Sequence, residues 1–329
     1  MKRLGAPLVT ACAVATLTVA ALARADGLPV LGVDVGRSGV ATRDNGSRYV
    51  TVAVGTKTLV ERVATRGGQI LGSRLLAGTF TIPAVAYDGS ASGLSADGKT
   101  LVLIQPRRSF PRAETAFAFL STHTLRRLAR VTLHGDFSFD AISPRGKLMY
   151  LIEYNDPRNP FRYRVRAYDM QDGRLLAAPV VDPREHTDRM RGSPLTRTTS
   201  VDGRVAYTLY DGGGATPFVH ALDTSRRTAR CIDLAMLAGR SYLWQLRLFL
   251  SRDGRILSVR DQQDVEAVID THTFRVTTSQ PLAAPRPMHH GSPFPLAAVV
   301  LATALPLLGA VVAIARFRQR PARTGEAVT

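Results

Sequence analysis

The sequence predicts an all-β fold built from about five copies of one four-stranded unit, and three observations predict it. First, a Ser-x-Asp-Gly-Lys/Arg turn followed by an apolar run recurs along the chain. Good copies are Ser95-Ala96-Asp97-Gly98-Lys99, Ser200-Val201-Asp202-Gly203-Arg204 and Ser251-Arg252-Asp253-Gly254-Arg255. Ser143-Pro144-Arg145-Gly146-Lys147 carries Arg in place of Asp, and Arg43-Asp44-Asn45-Gly46 is a weaker copy. The glycines stand at 46, 98, 146, 203 and 254, with spacings of 52, 48, 57 and 51 residues. A period near fifty is the mark of a repeat architecture. Second, each period holds four short runs rich in branched and aromatic residues and bounded by turn residues, the pattern of strands. Third, no stretch between the termini carries a helical period; residues 232–239 make one or two turns at most. A four-stranded unit repeated at this length is a propeller blade, so the fold class is a β-propeller of about five blades, with six as the alternative.

The turn itself has a simple physical basis. Gly accepts the positive φ that tight hairpin turns need, and Asp hydrogen-bonds its own backbone. Ser does the same more weakly, and the following Lys or Arg begins the next strand at an exposed position.

In chain order, Met1-Lys2-Arg3, the apolar run 5–23 and the small-x-small stretch Ala23-Arg24-Ala25 read as a secretory signal peptide spanning residues 1–25. The β-propeller domain occupies 26–282. Residues 28–35 offer one extra strand, which either closes the ring against the last blade or belongs to a degenerate sixth. Strands are expected at 39–42, 49–54, 59–63 and 69–76 in the first blade, and at 91–95, 101–105, 116–120 and 129–133 in the second. They follow at 137–142, 149–154, 163–168 and 175–181 in the third, and at 195–200, 205–210, 218–222 and 229–234 in the fourth. The fifth blade has 246–250, 256–260, 265–269 and 274–278. A Pro-rich stalk, 283–293, leads to residues 294–315, which carry no charge and are long enough to span a bilayer. Arg316, Arg318, Arg320 and Arg323 follow in the tail, 316–329, and place it in the cytoplasm by the positive-inside rule. The expected topology is type I: one span, propeller outside, C-terminus inside.

A second turn repeats between the third and fourth strands: Ser121-Thr122-His123-Thr124, Asp169-Met170-Gln171-Asp172-Gly173, Asp223-Thr224-Ser225-Arg226 and Asp270-Thr271-His272-Thr273. The last lies within Val265-Glu266-Ala267-Val268-Ile269-Asp270-Thr271-His272-Thr273-Phe274-Arg275-Val276. This stretch resembles the Val-Ile-Asp-x-x-Thr-x-x-Val segment of YVTN-type and WD40-like bacterial β-propellers, and so does the Ser-x-Asp-Gly turn. The resemblance covers roughly 39–280 and implies a fold rather than an activity. The Trp-Asp pair of eukaryotic WD40 blades is absent, Trp244 being the only tryptophan.

The chain carries 43 basic and 26 acidic residues, a net charge of +17, which favours anionic partners. Only four of the basic residues are lysine, so GC-rich coding competes with function as the origin of the arginines. Nucleic acid is not an expected partner of an exported, tethered domain. Cys12 lies in the signal, so the exported domain has Cys231 alone, no internal disulfide, and a stability that must come from its core. In a strand, Cys231 reads as an inert buried thiol.

In an up-and-down blade the tight turns share one face, and the second-to-third and fourth-to-first loops share the other. The long loops 106–115, 155–162, 182–193, 211–217 and 236–242 all fall on the second, which is the expected working face. Its candidate ligand-binding residues are Arg107, Arg108, Phe110, Arg112, Arg158, Phe161, Arg162 and Arg184, since guanidinium forks beside aromatics suit anionic or glycan-like ligands. The competing reading pairs these arginines with Glu114, Asp156 and Glu185. No His-x-x-x-His or Cys-x-x-Cys pair exists, so no metal or cofactor is expected. Gly89-Ser90-Ala91-Ser92-Gly93 has alanine where a nucleophile elbow needs serine. Gly212-Gly213-Gly214 lacks the Lys-Ser/Thr of a phosphate loop and reads as a flexible turn. The expected function is a membrane-anchored binding module for a protein or an anionic envelope polymer. The alternatives are a hydrolase or lyase acting on envelope glycans, or a sensor subunit of a membrane complex.

Overall fold

The structure is a computed structural model, and it describes residues 39–278 except His186, Asp188 and Gln263. The expected signal peptide, the extra strand 28–35, the stalk, the span and the tail lie outside the described residues. Among the described residues no helix is long and apolar enough to cross a membrane.

The described residues form five successive antiparallel sheets, each in sequence order from one edge to the other. Sheet 1 contains β1 (Val40–Ala41), β2 (Ser47–Val54), β3 (Lys57–Ala64) and β4 (Ile70–Ala77). Sheet 2 has three strands, β5 (Thr100–Ile104), β6 (Glu114–Ser121) and β7 (Arg127–His134). Sheet 3 runs from β8 (Asp136–Ile142) through β9 (Leu148–Tyr154) and β10 (Arg162–Asp169) to β11 (Arg174–Leu175), and β12 (Met190–Arg191) also pairs with β10. Sheet 4 is β13 (Pro194–Thr199), β14 (Val205–Tyr210), β15 (Phe218–Asp223) and β16 (Thr228–Asp233). Sheet 5 is β17 (Leu246–Leu250), β18 (Ile256–Asp261), β19 (Asp264–Asp270) and β20 (Val276–Thr277). Within residues 232–239 only a single 3-10 turn forms, at Ala235–Leu237.

Both repeated turns are explained by one lock. In each Ser-x-Asp-Gly copy the Ser hydroxyl donates to the Asp carboxylate and accepts the amide that starts the next strand. Ser95 Oγ, for example, lies 2.7 Å from Asp97 Oδ1 and 3.0 Å from Thr100 N. Ser200 and Ser251 repeat this geometry. The loop is therefore four residues long, not the two-residue hairpin that an Asp-Gly pair suggests. In the weak first copy Thr42 takes the serine's role, donating to Asp44 at 2.6 Å and accepting Ser47 N at 3.0 Å. The threonine of the second turn then caps the glycine carbonyl of the first: Thr122 to Gly98, Thr224 to Gly203 and Thr271 to Gly254, at 2.6, 3.0 and 2.7 Å. One buried hydroxyl thus ties the two hairpins of a sheet together.

Alternate residues of the strands that lie between two neighbouring sheets face different neighbours. In β5, Leu101 and Leu103 pack towards sheet 1, and Val102 and Ile104 towards sheet 3. In β14, Ala206 and Tyr210 meet sheet 3, and Tyr207 and Leu209 meet sheet 5. Strands covered on both faces read as continuous apolar runs, because no side chain needs to meet water. Four cores result, between sheets 1 and 2, 2 and 3, 3 and 4, and 4 and 5. Among the described residues no buried core joins sheet 5 to sheet 1. Val52, Val54 and Leu75 on sheet 1, and Phe249 and Ile256 on sheet 5, are exposed.

The main departure lies between β4 and β5. A first strand at 91–95 is expected there, and only isolated bridges form, Ala84 to Ala91 and Leu94 to Leu101. Residues 83–92 instead fold back on themselves and reach sheet 4, where the amides of Tyr87 and Asp88 donate to the carbonyls of Pro194 and Leu195. Those carbonyls belong to the edge strand β13, which the segment covers as an extra partner would. The expected strand 175–181 is likewise reduced to Arg174–Leu175, because the chain bends away after Leu176 and returns to β10 only at Val180, whose amide donates to the Val165 carbonyl. The tight turns gather together. Asp97 N donates to Pro144 O, Gly203 abuts Ala96, and turn residues of sheets 1, 4 and 5 (Arg43, Asp202, Gly254) line one cavity.

Candidate functional site

At the opposite ends of the strands, a cavity of about 250 Å³ opens between sheets 3 and 4. Its walls come from the start of β10, the segment running from Val180 through β12, and the facing strands β15 and β16. Residue 162 pairs with 191 and residue 163 with 190, which brings Arg162 and Arg191 to its rim. His220 stands directly opposite Cys231 across β15 and β16, so the two side chains share one face of the sheet, and both line the cavity.

Asp182 is the buried anchor of this site. Its carboxylate accepts the Arg184 amide at 3.0 Å, the Arg184 Nε at 3.1 Å and Nη2 at 2.5 Å, and the Cys231 amide at 2.8 Å. Burial by itself raises the Asp182 carboxyl, and these donors outweigh it and hold the group below its ordinary value. Arg184 Nη2 also donates to the Cys231 carbonyl at 2.7 Å, so the pair clamps the loop onto β16. Cys231 is half-buried rather than buried. Its thiol is pushed up to about 12, first by burial and then by the negative charges of Asp182, Glu185 and Asp233. His220 is almost wholly buried, burial pushes its imidazole down to about 4, and its Nδ1 has no hydrogen-bond partner. Ligand atoms of Asp182, Glu185 and Cys231 lie within 4.8 Å of one another. Sequence spacing offers no sign of this group: Asp182 and Glu185 share one loop, and Cys231 stands 46 to 49 positions further on, in a strand that only the packing of sheet 3 on sheet 4 brings to them.

The arginines expected to bind a ligand divide into two sets. Arg107 and Arg112 belong to the interior, which corrects the expectation that they face solvent. Arg107 donates to Asp136 through Nε at 2.9 Å and Nη2 at 2.5 Å, and to Ser138 at 3.1 Å. Its guanidinium lies 4.8 Å above the Tyr154 ring and 5.7 Å from Phe110, which packs edge-on against Tyr154. Arg112 meets Asp136 at 3.3 Å and donates to the carbonyls of Gln105 and Phe137. Burial, then the neighbouring Arg107 charge, lowers Arg112 to about 10. Arg108, Arg158, Phe161 and Arg162 are exposed, and Arg184 is half-exposed against Asp182. Phe161 and Arg162 lie beside the cavity, where the Phe161 carbonyl accepts Gly192 N at 3.3 Å. The exposed set also includes Arg189 and Arg191. The glycine run is an anchored turn, not a loose one: Asp211 accepts both Gly213 N and Ser193 N, and all three glycines have positive φ. The Ser90 hydroxyl is held by Asp88 at 2.6 Å.

No protein-family model matches the sequence, and no curated protein matches it. Similar solved structures include the Kuenenia stuttgartiensis hydrazine synthase, at 14% identity and a TM-score of 0.42 over 73% of this chain and 64% of that one. They also include a functionally unknown protein from Desulfotomaculum acetoxidans, at 15% identity and a TM-score of 0.46 over 73% and 68%. A third is a putative TolB from Agrobacterium tumefaciens, at 14% identity and a TM-score of 0.38 over 73% and 78%. The chain spans less than two thirds of the hydrazine synthase chain that it matches. The chain is an all-β protein of successive, mostly four-stranded antiparallel sheets.

Proposed function

We propose that the chain is a membrane-anchored, extracytoplasmic β-propeller of five blades that binds an anionic envelope polymer, or a protein with an anionic surface, through its long-loop face. The gathering of the tight turns on one face supports the propeller reading. The uncharged stretch 294–315 followed by four arginines supports the anchor.

One observation carries the binding reading. Arg162, Arg189 and Arg191 are exposed and line one cavity at the end of the strands away from the repeated turns, with the exposed Phe161 bonded to Gly192 beside it and the exposed Arg158 on the neighbouring loop. Exposed guanidiniums give a long-range attraction that salt screens, and an exposed aromatic adds a stacking surface. The test is a salt series of binding between the purified full chain and polygalacturonate, with neutral dextran as control. Binding that weakens with salt, and is lost when Arg158, Arg162, Arg189 and Arg191 are changed to serine, is expected. Equal binding by the variant would overturn the assignment.

A further inference from the structure

We propose that the cavity between sheets 3 and 4 takes a thiophilic divalent cation, with Cys231, Asp182 and Glu185 as its ligands. Three donors converge there, a thiol and two carboxylates, with ligand atoms inside 4.8 Å of one another. A tetrahedral zinc site with bonds of 2.0–2.3 Å has ligand atoms roughly 3.5 Å apart, so small side-chain rotations bring these donors onto one ion. Glu185 is exposed and free to swing. Asp182 is already fixed by its amide and guanidinium donors.

His220 is the second, independent observation. It is 1% exposed, lines the same cavity and sits opposite Cys231 in the sheet. Its Nδ1 is buried with no partner, in an interior where unpaired polar atoms are rare and costly. The imidazole lies outside the 4.8 Å group, and a rotation towards Cys231 makes its free nitrogen the fourth donor of a tetrahedral site.

The charge balance favours a soft cation over a hard one. Binding releases the Cys231 thiol proton to solvent, and the sulfur takes the ion in its place. Arg184 is the resident counter-charge of Asp182, with its guanidinium half in solvent, so the ion competes with that guanidinium for the carboxylate. Sulfur and imidazole donors select zinc-like ions over calcium or magnesium, which prefer six or more oxygens.

The test is a titration of the purified full chain, solubilised in mild detergent, with Co²⁺ as the probe. Thiolate ligation gives an intense near-ultraviolet charge-transfer band and tetrahedral visible bands. One equivalent producing both, with displacement by Zn²⁺, is expected. The band is expected to persist in Cys12→Ser and vanish in Cys231→Ser, while Glu185→Gln and Asp182→Asn weaken binding roughly tenfold or more. Glu185 is at the surface, so its variant leaves the fold intact. Absence of the charge-transfer band, its survival in Cys231→Ser, or unchanged affinity in Glu185→Gln would overturn the proposal. None of these outcomes depends on whether the chain binds a polyanion.

Discussion

Replacing Asp136 with Asn tests whether Arg107 and Arg112 support the fold rather than meet a ligand. The Asp136 side chain is wholly buried, and those of Arg107 and Arg112 are 2% and 10% exposed. The carboxylate accepts the Arg107 guanidinium and the Arg112 amide, which lies 3.1 Å away, and pairs with the Arg112 guanidinium at 3.3 Å. Asn keeps the shape and one acceptor but removes the charge, leaving two buried cations uncompensated. Breaking a buried pair in this way costs about 3–5 kcal/mol, against about 0.5 kcal/mol or less for an exposed residue such as Arg158. For a domain of this size each kcal/mol lowers Tm by roughly 2–4 °C, so D136N is expected to melt about 10 °C below the parent. Arg107→Met keeps the stem against Tyr154 and leaves Asp136 with Arg112, and a smaller loss is expected. Melts followed by circular dichroism, with Arg158→Ala as control, read these differences. If D136N melts within about 2 °C of Arg158→Ala, the Arg107–Asp136–Arg112 cluster is not structural and the reasoning fails.

Two further perturbations address the repeated turns. Gly203 and Gly254 hold the same place in the repeat, with φ of 73° and 74°, so alanine at either costs about 1–2 kcal/mol of backbone strain. A Cβ on Gly203 would also lie 2.5 Å from the Ala96 Cβ, whereas Gly254 has nothing within 4 Å. Urea unfolding is therefore expected to show Gly203→Ala clearly the less stable, and equal losses would contradict the packing of these turns. The Asp270 carboxyl is held below its ordinary 3.8 by the Thr273 amide, then the Thr273 hydroxyl, then the His272 amide. Its contribution is present above the unfolded pKa and is lost as pH falls through the lower folded value. The stability gap between the parent and Asp270→Asn should narrow on acidification from about pH 5 to pH 2, and a gap independent of pH would refute the turn's charge-assisted bonds.

How far the fold was legible differs from element to element. Sheets 1, 4 and 5 follow the expected strands closely, because each is written in local chemistry: a hydroxyl, a carboxylate and a glycine within five residues, then an apolar run. The lock between the two turns was visible as two recurring motifs, and only the coordinates joined them through Thr122, Thr224 and Thr271. Thr42 falls outside the Ser-x-Asp-Gly pattern, although a threonine hydroxyl serves the same geometry.

The sequence by itself determined the repeat, the all-β class and the strand order, since these rest on interactions between residues a few positions apart. The tertiary structure decided what lies far apart in the chain. It turned residues 83–92 away from a strand because the open edge of β13 offers their amides partners more than a hundred positions on. It drew Arg107 and Arg112 inward because Asp136, on the next sheet, supplies a buried charge that solvated loop arginines would lack. It assembled Asp182, Glu185, His220 and Cys231 around one cavity from a loop and two strands. A buried charge must find its partner wherever packing places it, and no local pattern records that position.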